Sequence, residues 1–121
     1  MRGDGPRIKR IYDPAEPGDG KRYLVDLLWP RGVSKARARQ DGWLKEVAPS
    51  EELRHWFGHD PARWEEFKRQ YRLELKARNK KAKLRELAQQ IEAAPVTLLY
   101  AAKDQERNNA VALREELLRN Y

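Results

Sequence analysis

Residues Tyr23–Gly32 read YLVDLLWPRG, and the fold turns on how this stretch is read. Leu24, Val25, Leu27 and Leu28 surround Asp26 without the strict alternation of a half-buried strand, a density that marks a strand covered on both faces. Pro30, Arg31 and Gly32 then end it, because such a triplet does not continue a sheet. The expectation is a central strand from 23 to 29 running into a turn. In open α/β sheets ligands sit beyond the carboxyl ends of such strands, which is where Asp26, Trp29 and Arg31 would stand.

Working outward, Val96–Ala101 (VTLLYA) is a second buried strand, set between Pro95 and a polar segment from Lys103. A last helix over 108–119 follows it, with Ala110, Leu113 and Leu117 as the inner face. Toward the amino end, Ile8–Tyr12 is a short strand. The loop from Asp13 to Lys21 carries Pro14, Pro17, Gly18 and Gly20 and is too short for a crossover helix, so the pairing of the first two strands stays open. These elements predict an α/β fold: a small, largely parallel sheet covered by helices in a single layered domain over 8–121, after a flexible lead-in at 1–7 rich in Gly and Pro.

The middle of the chain carries helix signals. Ser34 caps a short basic helix or extended arm, SKARAR, and Gly42–Val47 is either a third short strand or a covering loop. Ser50 caps a helix with Glu51 and Glu52 in its first turn and Gly58 at its end. Asp60 and Pro61 open the next, whose stripe is Trp64, Phe67, Tyr71 and Leu75. A break at Asn79 leads into a helix using Leu84, Leu87, Ala88 and Ile91, with Lys80, Lys81 and Lys83 expected in a basic loop because cations are disfavoured at a helix start.

The 121 residues suffice for one core. No apolar run approaches the roughly 20 residues that span a bilayer, and the opening MRGDGP has no apolar signal segment, so a membrane role is not expected and the cytoplasm is. The chain has no cysteine, which excludes disulfides, thiolate catalysis and thiolate zinc sites. Lys and Arg number 26 against 19 Asp and Glu, a net charge of +7 that attracts polyanions at low salt.

The two buried strands end alike. One delivers Asp26, Trp29, Arg31 and Gly32; the other delivers Tyr100, Lys103 and Asp104 and leads to the helix start at Asn108. Adjacent parallel strands would bring these to one edge, where Arg31, Lys103 and the helix start would favour a phosphate or carboxylate, with Asp26 orienting Arg31. The alternative is a purely structural Asp26–Arg31 ion pair with Asn108 as a cap. His55 and His59 are four apart, yet Gly58 interrupts their helix and no third ligand is spaced to join them, so no metal site is expected. The cofactor is left unknown. The aromatic residues are mostly assigned to the helical stripe, and no nucleic-acid module is present; Lys35, Arg37 and Arg39 are the best candidates for phosphate contacts.

The segments IKRIYD (8–13), LVDLLWPRGVSKARA, WLKEVAPSEELRHWFGHDPARWEEF and TLLYAAKDQERNNAVAL resemble the YeaO-like branch of domain-of-unknown-function family 488 over nearly the whole chain from Ile8. The resemblance implies a compact α/β cytoplasmic protein of bacterial type and brings no established reaction. Its pattern commonly has Arg where this chain has Leu27, and often His where this chain has Asn109; longer relatives carry Cys near Tyr100 and Cys-His-Arg near Asn108. A histidine or thiol mechanism is therefore not carried over. The reading ranked first is a binder of an anionic, phosphate- or nucleotide-like small molecule at the strand ends, its reaction, if any, unnamed. A nucleic-acid-binding accessory protein and an interaction or structural module without a ligand are the alternatives, and the oligomeric state is open.

Overall fold

The computed structural model describes residues 5–121. Its four strands, β1 (Arg7–Arg10), β2 (Lys21–Leu24), β3 (Gly42–Trp43) and β4 (Val96–Tyr100), form one all-parallel sheet in the order β1-β4-β2-β3. The first two strands therefore do not pair: β4 lies between them, and this removes the difficulty of the short connecting loop. Part of the lead-in, residues 1–4, lies outside the described residues, and its last residue, Arg7, is already strand.

Among the described residues five α-helices accompany the sheet: α1 (Lys35–Ala38), α2 (Glu51–Phe57), α3 (Trp64–Glu74), α4 (Arg78–Ala93) and α5 (Asn109–Asn120). Their starts follow local chemistry. Ser34, Ser50 and Asn108 each accept a backbone N–H of the first turn, from Arg37, Leu53 and Val111 respectively. Asp60 accepts the Ala62 N–H at a 3-10 turn with Pro61 first, and Gly58 closes α2 in the left-handed conformation. Gly42–Val47 combines both expected forms, a two-residue strand and then a 3-10 turn at Lys45–Val47.

All five residues of β4 are buried, as expected of a strand covered on both faces. One face carries the main core, where Trp64, Phe67 and Tyr71 of α3 and Leu75 just after it meet Leu84, Leu87 and Ile91 of α4 and Leu113 and Leu117 of α5. Phe67 stacks on Phe57 at 4.4 Å and on Trp64 at 5.7 Å. The other face is thin: Ile11, Leu24, Ala38 and Leu99 under Trp29, Val33 and Trp43.

Two expectations need correction. β2 ends at Leu24, not at Trp29. The Val25 N–H still bonds Leu99 O at 3.1 Å, but the Ala101 N–H that would continue the ladder donates to the Asp26 carboxylate at 3.0 Å, so side chain replaces backbone and the chain leaves the sheet. Leu27 is consequently half-buried and Leu28 is 54% exposed. The Lys80–Lys83 cluster is not a loop: α4 begins at Arg78, the break falls at Leu75–Ala77, and packing of Leu84, Leu87 and Ile91 outweighs the unfavourable charges in the first turn. No helix among the described residues is long and apolar enough to cross a membrane.

Candidate binding cleft

Beyond the carboxyl ends of β2 and β4 the structure has a cleft of about 260 Å³. Residues Asp26–Pro30, leaving β2, make one wall, and Pro49, Arg54, Phe57, His59 and Phe67 of the α2–α3 region make the other. Ala101, Ala102, Asn108 and Asn109, between β4 and α5, complete it. The lining is largely apolar, with a few polar groups placed at defined points, the usual composition of a small-molecule site.

Asp26 is the best-held polar group in it. Its Oδ2 accepts the Ala101 N–H and its Oδ1 accepts Asn109 Nδ2, both at 3.0 Å. Asn109 Nδ2 also donates to Val25 O at 2.9 Å, and Trp43 Nε1 donates to Asp26 O at 2.7 Å. Burial pushes the Asp26 carboxyl above its ordinary range; the hydrogen bonds from Asn109 and Ala101 and the charges of Arg54 and His59 oppose that rise without cancelling it. Each carboxylate oxygen still has acceptor capacity for a further donor.

Arg54 supplies the cationic side with His59 on the same wall, and neither was singled out as a binding residue from the sequence. Arg54 lies near Glu51 at 3.9 Å, a loose and exposed pair. His59 is a non-glycine residue at φ 59°, directly after left-handed Gly58. Such a backbone is uncommon for a non-glycine residue, although His is among the types found there more often. His59 also lines the cleft.

Of the residues anticipated for a site, Asp26, Trp29 and Asn108 line this cleft. Trp29 is fixed by its Nε1 bond to Val33 O at 2.7 Å and an edge contact with Trp43. Asn108 is buried and caps α5. Tyr100 belongs to the main core, where burial raises its hydroxyl pKa. Asp104 accepts the Glu106 and Arg107 N–H groups, which hold its carboxyl below the ordinary range. Gly32 lines a separate hollow with Tyr12 and Arg37. Arg31 and Lys103 are exposed and outside the cleft lining, and Asp26 bonds Ala101 and Asn109 where a pair with Arg31 was expected. Among the described residues no group of three or more His, Cys, Asp or Glu is placed to hold a metal ion.

Leu27 and Asn109, the two departures from the family pattern, both line the cleft beside Asp26. Asn109 had a signal that was available: it is the first helical residue after a cap, and from there a short amide can turn back to the strand ends.

The chain is 44% identical over 111 residues to the uncharacterised protein YeaO of Escherichia coli K12, covering 92% of this chain and 95% of that one. It is 40% identical over 111 residues to the uncharacterised protein Rv3073c of Mycobacterium tuberculosis H37Rv, covering 92% of each. No solved structure gives a significant match. A family model described as the inactive DUF488-N3 subclade matches residues 6–121, and the chain belongs to that family.

Proposed function

We propose that this protein binds a small ring-bearing anion in the cleft beyond β2 and β4, as a binding module and not as a catalyst. The observation that carries the reading is one apolar-walled cleft lined both by the Asn109-held Asp26 carboxylate and by the Arg54 guanidinium and His59. A cavity of about 150 Å³ accommodates benzene, so about 260 Å³ suits one ring with substituents. The anionic group faces Arg54 and His59, the ring packs among Trp29, Phe57 and Leu27, and a hydroxyl or amino group donates to Asp26. The absence of cysteine, the subclade's description as inactive and Asn109 in place of a titratable histidine favour binding over chemistry.

The test is a thermal-shift titration with 4-hydroxybenzoate, phenyl phosphate and inorganic phosphate at fixed ionic strength. The ring-bearing anions should raise the unfolding temperature of the parent, because they bind the native state alone. Arg54→Ala combined with His59→Ala should remove most of that rise, and Arg31→Ala should leave it. Equal shifts in the parent and the Arg54/His59 variant would refute this site, as would no shift in the parent.

A further inference from the structure

We propose a second binding surface, independent of the cleft: the corner between α3 and α4, where Lys76, Arg78, Lys80 and Lys81 form a docking site for the phosphate backbone of nucleic acid. Several cations elsewhere sit in ion pairs. Lys68 pairs with Glu65 and Glu115, Arg69 with Glu66, Arg63 with Asp60, Lys83 with Glu46 and Glu86, and Arg107 with Asp104. The four corner cations have no ion pair among the described residues; three are exposed and Lys80 is half-buried. The only carboxylate between residues 72 and 85 is Glu74, and it is engaged by the Ser50 N–H at 2.9 Å and the Ser50 hydroxyl at 2.5 Å.

The placement works against local stability. α2 and α3 each begin with two glutamates in the first turn, where they complement the helix dipole, whereas α4 begins with cations and no acid. Nothing in the packing of α4 uses these charges, since its contribution to the core comes from Leu84, Leu87 and Ile91. A lipid surface is the poorer occupant: those same apolar residues are at most 2% exposed, leaving α4 no bulky apolar face to insert. Phosphodiester backbone needs only a compact, unpaired set of cations and reads no sequence through it.

The measurement is fluorescence anisotropy of a labelled DNA duplex across a salt series with the full chain. Parent affinity should fall with salt in proportion to the phosphates contacted, and neutralising Lys76, Arg78, Lys80 and Lys81 to Gln should weaken binding at least about tenfold and flatten the salt slope. Arg31→Gln with Lys35→Gln and Arg37→Gln, which removes unpaired charge on and before α1, should weaken it less than about threefold. If the fourfold variant melts early, the single reversal Lys81→Glu carries the same comparison. No binding by the parent, equal losses in the two charge variants, or equal or tighter binding to phosphatidylserine vesicles at the same salt would overturn the proposal.

Discussion

Asn109 Nδ2 reaches the Asp26 carboxylate at 3.0 Å across 83 residues of sequence and at the same time holds Val25 O at 2.9 Å. This one amide fastens the start of α5 to the point where β2 leaves the sheet. It also supplies a neutral donor to a carboxylate that burial makes harder to ionise. Fold and cleft therefore share a single contact, and its chemistry can be probed through pH.

Asn109→Asp should destabilise the protein by roughly 2–3 kcal/mol near neutral pH, because it replaces a donor with a second carboxylate beside Asp26. A shared proton would relieve the repulsion, so the folded pair binds protons more tightly than the unfolded chain. Stability relative to the parent should be recovered as pH falls toward about 3.9, the unfolded Asp value, and lost as pH rises through the raised folded value. Urea unfolding at neutral and acid pH measures this. An equal deficit at both would show that the two side chains do not share a titration.

The opposite sign is expected at the other end of the sheet. Asp19 is fully buried and accepts Arg22 Nη1 at 2.6 Å, Lys9 Nζ at 3.1 Å and the Glu16 N–H at 3.0 Å. Burial raises its pKa, but these hydrogen bonds prevail and hold the carboxyl below its ordinary range. Its stabilisation is present above the unfolded value of about 3.9 and is lost as pH falls through the depressed folded value. Asp19→Asn should cost about 3–5 kcal/mol at neutral pH, leaving Arg22, 4% exposed, without its carboxylate. Chemical denaturation of the variant decides it; a loss under about 1 kcal/mol would mean that Ala38 O and Arg39 O satisfy Arg22 alone.

Much of the fold was legible because its signals are local. Ser50 and Asn108 cap, Gly58 terminates, and the spacing of Trp64, Phe67, Tyr71 and Leu75 sets one buried face, all from side chains acting within a turn or two. The end of β2 was not legible, since it depends on Asp26 taking an N–H from Ala101, 75 residues away and just past β4. The topological rule pointed to the carboxyl end of the sheet, and a cleft lies there. Arg54 and His59 were not anticipated in its lining, because nothing local to either reports which strand ends the α2–α3 corner will cover. Arg31 sits where the chain turns out through Gly32 at φ 73°, with its carbonyl accepting Tyr12 Oη, and the path of that turn is a tertiary matter.

Trp64→Ala should destabilise by about 3–5 kcal/mol. Trp64 is 9% exposed, packs at 5.9 Å from Phe57 and 5.7 Å from Phe67, and lies under Lys68 at 5.3 Å. Removing the indole leaves a void between α2 and α3, the two helices that form one wall of the cleft. Urea unfolding reads the loss directly, and an unchanged midpoint would take Trp64 out of the core.

Asp26→Asn tests what the floor of the cleft recognises. The amide oxygen can accept one of the two donors now bound, Ala101 N–H or Asn109 Nδ2, and the new NH₂ group cannot accept the other, so one hydrogen bond is lost. Against this, the variant no longer buries an ionised group, and the two effects partly offset in stability. Ligand preference should change much more. A hydroxyl donating to a carboxylate contributes about 1.5–3 kcal/mol, so the parent should prefer 4-hydroxybenzoate over benzoate by roughly 10- to 100-fold, each about 1.4 kcal/mol being a factor of ten. In Asp26→Asn that preference should collapse to within a few-fold while binding of benzoate itself persists through Arg54 and His59. Isothermal titration of both ligands against both proteins gives the four affinities. A preference that survives intact in Asp26→Asn would place the hydroxyl away from Asp26, and equal affinities in the parent would remove the carboxylate from ligand recognition altogether.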